Sequence, residues 1–190
     1  MAQLRIPLDP NRFAQGLTWK DFVSQMGDGM VKTEDNYAKS KLTDEERKFF
    51  SGITQVKYGL MLAENWCPDV HRGAPLIAHI CEAMPGCDLR VFFRDQNPDL
   101  RAIYLNNGYQ SIPVVVFFDK DWNEIGRWLE RAHAATVKLT QIRAITGDNP
   151  TEYRKQLQAE YDAPGGPLWR AAASEVRLLL EQSLGLVAKK

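Results

Sequence analysis

The sequence predicts an α/β protein, a central mixed sheet flanked by helices, with additional helices at its N- and C-terminal ends. Three observations carry this. Between residues 55 and 129, β-rich segments alternate with helical patterns in the order β-α-β-α-β-β, which implies parallel first strands and a closing hairpin. The run Val114-Val115-Val116-Phe117-Phe118 is apolar without alternation, as expected for a central strand covered on both faces. From residue 130 onward the pattern is helical, with cap and breaker residues between the helices.

In order along the chain, residues 1–54 form an N-terminal helical extension. Thr18 starts a helix over about 18–26 that shows Trp19, Phe22, Val23 and Met26 on one face. Thr43-Asp44-Glu45-Glu46 is a capping-box pattern, opening a helix over about 44–52 that buries Phe49, Phe50 and Ile53. Both are too short to persist alone in water, so they are expected to dock on something larger. The core, 55–129, has strands over 55–63, 88–93, 112–118 and 124–128, with helices over about 68–83 and 98–107. Asp119 to Asn123 make the hairpin turn. The C-terminal extension, 130–190, has a helix over about 131–146 that stops at Gly147. A second helix starts at Asn149-Pro150 and runs to about Tyr161, and a third runs from about 168 to Leu184, after a Pro/Gly break. Leu178, Leu179, Leu180 and Leu184 need a surface to cover, either the core or a second copy of the chain. A homodimer is therefore one expectation; the three segments are expected to pack as one domain.

Composition excludes several classes. Hydrophobic residues make up 44% of the 190, enough to build a core. Twenty-four basic side chains balance 24 acidic ones, which argues against a nucleic-acid binder. The basic excess after residue 126 is small and reads as a solvated helical surface. Three cysteines are too few, and odd in number, for a secreted disulfide framework. The opening residues hold no apolar run of signal-peptide length, and no stretch has the length of a membrane span. A cytoplasmic protein without membrane or nucleic-acid partners is expected. His79 and His133 lack companions at ligand spacing, Asp119 and Asp121 are turn residues, and no glycine-rich phosphate loop precedes a helix. No metal site is expected.

Cys67 is the residue that carries chemistry. It falls between a strand and the helix of residues 68–83, where free amides and the helix dipole favour a thiolate. Pro68 suits a first turn, and the amides of Asp69 and Val70 would face the sulfur. His71 shares the same face and would add positive charge if protonated, whereas the Asp69 carboxylate works against the thiolate. A buried cysteine acting as a small hydrophobe fits the position equally well.

The segment Trp66-Cys67-Pro68-Asp69-Val70-His71, continuing to Ala74-Pro75, resembles the active-site segment of the thioredoxin family. Arg94-Asp95-Gln96-Asn97-Pro98 resembles that family's turn after the next strand. Gly108 to Pro113 before an apolar strand resembles its cis-proline loop, and Gly126 also fits. More narrowly, the chain is similar to a bacterial thioredoxin-like group with helical extensions and a Trp-Cys-Pro-Asp segment. The resemblance implies a thioredoxin-like fold and a cis Ile112–Pro113 bond facing Cys67. It also implies that Trp66 flanks the site. Two departures bear on activity: Val70 replaces the second cysteine, and Met61 stands where thioredoxins keep a buried acid. Cys81, 14 residues further along one helix, would lie roughly 21 Å from Cys67, too far to resolve an adduct. Cys81 and Cys87 could pair with each other across Met84-Pro85-Gly86, but in a reducing cytosol two free, mostly buried thiols are expected.

Two functional readings follow. In the first, Cys67 works as a monothiol: it exchanges with protein or small-molecule disulfides, and an external thiol such as glutathione resolves the adduct. No bound cofactor is needed. In the second, the groove around Pro113 binds polypeptide and has no redox role. A general dithiol reductase ranks below both because of Val70.

Overall fold

A computed structural model describes residues 8–186 of the chain. The expectation of a start without a signal peptide rests in part on residues 1–7, outside the described residues.

Four strands form one sheet in the order β2-β1-β3-β4: β1 (Tyr58–Ala63), β2 (Asp88–Phe93), β3 (Val114–Phe118) and β4 (Glu124–Leu129). β1 and β2 are parallel, and β3 runs antiparallel to both β1 and β4. This is the expected mixed sheet with a closing hairpin. All five residues of β3 are buried, which explains a run with no polar alternation. Asp119 organises the hairpin turn by accepting from the amides of Asp121 and Asn123 at 2.8 and 2.9 Å. Trp122 of that turn stacks on Tyr58 with centroids 3.9 Å apart, and Phe13 closes the cluster edge-on.

The N-terminal extension folds as α1 (Pro10–Ala14), α2 (Trp19–Ser24), α3 (Met30–Lys39) and α4 (Asp44–Ser51). Thr18 caps α2, and the Thr43/Glu46 capping box is present at α4. Phe22, Met26, Phe50 and Ile53 are buried, Trp19 and Phe49 are half-buried against the core, and Val23 is half-buried. Leu17 exchanges two backbone hydrogen bonds of 2.8 Å with Val91, protecting part of the otherwise open β2 edge. α3 has no counterpart among the expected elements. Its buried residues are Thr33 and Asn36, so it presents a polar face inward and carries no apolar periodicity to read.

The central helices are α5 (Pro68–Ala83) and α6 (Pro98–Ile103), and the C-terminal ones α7 (His133–Thr146), α8 (Pro150–Asp162) and α9 (Pro167–Ser183). Gly147 ends α7 with φ +66°, and Asn149 caps α8 by accepting from the amides of Thr151 and Glu152. Some boundaries differ from expectation. β1 begins at Tyr58 and not at Gln55, and β3 begins after the Ile112–Pro113 bond. α6 stops at Ile103, because residues 106–109 form their own turn with Asn107 and Gly108 at positive φ. In α9, Leu180 is fully buried and Leu179 packs on Gly126 of β4, but Leu178 is 50% exposed. Among the described residues, no helix is long and apolar enough to cross a membrane.

α5 lies on the sheet and is itself covered: α3 and α4 pack on it from the N-terminal extension, α8 and α9 from the C-terminal one.

Candidate functional site

Cys67 is the N-cap residue of α5, with Pro68 in the first turn. β1 ends at Ala63, and a tight turn follows in which the Cys67 amide donates to the Glu64 carbonyl at 3.3 Å. The Sγ–H is directed at the Ile112 carbonyl, 3.6 Å away, and the Ile112–Pro113 bond is cis. Thiol and proline loop therefore face each other, although 45 residues separate them in the chain.

The charge state of Cys67 differs from the sequence expectation. Only 7% of the residue is exposed, and burial pushes its thiol above the ordinary range. The amides of Val70 and Asp69 and the Arg131 guanidinium oppose that shift, while the Asp69 carboxylate adds to it. Desolvation prevails, so the resting group is a thiol and not the thiolate expected of a helix terminus.

Asp69 is held by Arg131 at 2.5 Å and by Arg72 at 3.7 Å. Arg131, from the loop between β4 and α7, also pairs with Glu130. Val70 is fully buried, as is Met61 in β1. His71 supplies no positive charge to the site. Its Nε2 donates to the Asn65 carbonyl at 2.6 Å, its ring lies against Gly29, and burial holds its pKa below the ordinary value.

α5 carries Pro75 in its interior, where the missing N–H deprives the His71 carbonyl of its helical donor. Asn36 of α3 replaces that donor through its side-chain amide, at 2.8 Å. One residue on, the Arg72 carbonyl accepts from Trp169 Nε1 of α9, also at 2.8 Å. The buried Arg72 side chain donates to Gln158 and to the Arg154 carbonyl, both in α8, and Gln158 in turn donates to Asn36. The two extensions thus grip α5 through polar groups. Sequence reasoning missed Asn36, Arg72, Arg131, Gln158 and Trp169. The one available signal was Pro75, which announces an orphaned carbonyl without naming its partner. Glu64 was also missed: buried, with its pKa raised by desolvation, it accepts from the Asp95 amide at 2.7 Å and fixes the turn after β2.

Trp66 is 57% exposed, and the Arg94 guanidinium lies 5.2 Å from its ring centroid. Beside Trp66 and Pro68 opens a cleft of about 710 Å³ between α3 and α8, with Lys32, Arg154 and Lys155 on its walls. Among the described residues, no group of three or more His, Cys, Asp or Glu side chains is gathered as a metal site.

A parallel βαβ unit with a thiol at its strand-to-helix junction, faced by a cis-proline before an antiparallel hairpin, defines a thioredoxin-like fold. The chain belongs to the thioredoxin family, whose family model matches residues 16–143. The match reaches from just before α2 into α7, well beyond the sheet. A crystal structure of a protein of unknown function, PA1234 from Pseudomonas aeruginosa, is similar at 20% identity and a TM-score of 0.64, over 90% of this chain and 95% of that one. A crystallised HIV epitope scaffold, 4E10, is similar at 20% identity and a TM-score of 0.62, over the same shares of each chain. Both similarities show the fold alone. No curated protein matches.

Proposed function

We propose that the protein is a monothiol exchange protein of the cytoplasm that uses Cys67 on protein or small-molecule disulfides, with an external thiol of the glutathione class completing the cycle. The observation that carries this reading is the Cys67 Sγ at the N-cap of α5, turned toward the Ile112 carbonyl across the cis-proline loop. Cys67 loses its proton, and the thiolate attacks one sulfur of a disulfide R–S–S–R′. The S–S bond breaks, R′–S⁻ leaves and takes up the proton, and Cys67–S–S–R remains. An external thiol then attacks that adduct, releasing Cys67 and R joined to the external thiol. Trp66 and the Pro113 loop flank the approaching substrate, and Asp69, Val70, His71 and Pro68 shape the helix start that holds the sulfur.

The test is to incubate the full chain with oxidised glutathione and read the intact mass and the modified peptide. A glutathionyl adduct on Cys67, removed by added thiol, is the expected result. A Cys67 that stays free under conditions that modify an unfolded control overturns the reading.

One observation favours a second reading, a polypeptide-binding module with no redox role: Cys67 is buried and rests protonated. On that reading Cys67→Ser leaves binding of any polypeptide partner unchanged.

A further inference from the structure

We propose that Cys81 and Cys87 form a second thiol–disulfide site, at the end of α5 opposite Cys67. It stands whether or not Cys67 exchanges.

Cys81 sits in the last turn of α5, buried to 2% exposure, and its Sγ lies 3.2 Å from where a Cβ on Gly59 of β1 would be. Leu89 Cδ1 contacts the same Gly59 position at 3.2 Å, so Leu89 and Cys81 meet on one face of the sheet. Gly59 and Leu89 are register partners in β1 and β2. Side chains two apart on an extended segment share a face, so Cys87 points to the side of Leu89, toward Cys81. The extended pairing reaches back this far, since the Asp88 amide donates to the Lys57 carbonyl at 2.9 Å. Between the cysteines the chain makes two successive tight turns. Met84 donates to the Cys81 carbonyl and Cys87 donates to the Met84 carbonyl, each at 3.2 Å, with Gly86 at φ +73°. Proximity to Cys87 and burial both push the Cys81 thiol up. Gly59 leaves room for this approach: a Cβ there would crowd the Cys81 sulfur at 3.2 Å.

The two thiols differ in access, which assigns their roles. Cys87 is half-buried and meets an oxidant first. Hydrogen peroxide transfers one oxygen to its sulfur, giving Cys87–SOH and one water. The Cys81 sulfur attacks that sulfenic sulfur. The S–S bond forms, the S–O bond breaks, and hydroxide leaves as water with the Cys81 proton. Two electrons and two protons pass from the pair to the peroxide, which ends as two waters. Burial holds the Cys81 thiol well above its ordinary range and away from solvent, so the more accessible Cys87 takes the first step.

The full chain is treated with hydrogen peroxide, unfolded in an alkylating agent and digested with trypsin. Residues 73–89 contain no Lys or Arg, and Arg72 and Arg90 bound them, so both cysteines fall in the 73–90 peptide and Cys67 in another. The expected product is a 73–90 peptide two hydrogens lighter than the reduced form, unalkylated, and restored to a doubly alkylated form by dithiothreitol. In Cys87→Ser protein, Cys81 should remain alkylatable after the same treatment. A wild-type peptide that stays doubly alkylated, or that gains oxygens on the two sulfurs independently, overturns the proposal.

Discussion

Asn36 donates its side-chain amide to the His71 carbonyl at 2.8 Å, and that carbonyl is the one Pro75 leaves without a helical donor. A residue of the N-terminal extension thus completes the hydrogen bonding of the helix that begins at Cys67. Replacing it with Leu strands a buried acceptor and removes the Gln158 contact. The expected loss is about 1–3 kcal/mol in urea denaturation. A change under about 0.5 kcal/mol, the scale of an ordinary surface substitution, would show that water or backbone adjustment satisfies His71 without Asn36.

Gly29, just before α3, gives a steric prediction. A Cβ there would meet the His71 ring at 2.8 Å and the Asn65 carbonyl at 3.0 Å. Its φ of −76° suits any residue, so the backbone itself would accept Ala. Gly29→Ala should therefore destabilise by roughly 1–3 kcal/mol through crowding against His71 and the turn at Asn65. A melting temperature equal to or above that of the parent would contradict the close approach.

The buried His71 predicts a pH dependence. Burial, reinforced by Lys32 and Arg72, lowers its folded pKa below the ordinary 6.5, against the raising effect of the Asn65 carbonyl. The unfolded chain thus binds this proton more tightly than the folded one. The His71 contribution is complete above 6.5 and is lost as pH falls from there through the lowered folded value. Gln at position 71 keeps an N–H for Asn65 but cannot titrate, so His71→Gln should flatten the stability profile between about pH 7 and 5. Parallel profiles for parent and variant would exclude His71 as the source.

Cys67 and its charged neighbours predict opposite effects from two substitutions. The Asp69 carboxylate raises the thiol pKa and the Arg131 guanidinium lowers it. Asp69→Asn should speed alkylation of Cys67 at neutral pH by a few-fold, and Arg131→Gln should slow it. In the parent, the rate should still be climbing at pH values where a free thiol, with a pKa of about 8.5, has levelled off. Iodoacetamide kinetics read at the Cys67 peptide measure all three. Equal rates in the two variants would mean that access alone, and not charge, controls the sulfur.

Much of the core was legible because its determinants are local. The bounds of α5 and β2 follow from Pro68 after Cys67 and from an apolar run after Gly86. The capping residues Thr18, Thr43 and Asn149 each act within three or four positions of themselves. α3 was not legible, because a helix that buries Thr33 and Asn36 looks solvent-facing in sequence. Nor was the resting state of Cys67: an N-terminal helix position speaks for a thiolate, and only the packed surroundings show how much water the sulfur has lost.

The sequence by itself determined an α/β core with one thiol at a strand-to-helix junction, a proline loop before the central strand, and no second cysteine within reach of Cys67. Each of these is a matter of residue type and short-range spacing. The tertiary structure decided which groups surround that thiol: Ile112 across from it, Arg131 and Asp69 beside it, and Asn36 and Trp169 on the carbonyls near Pro75. It also decided that Cys81 packs over Gly59 beside Leu89. Hydrogen bonds and desolvation depend on distances across the fold, between residues as far apart as Arg72 and Trp169, and no local pattern in the chain encodes them.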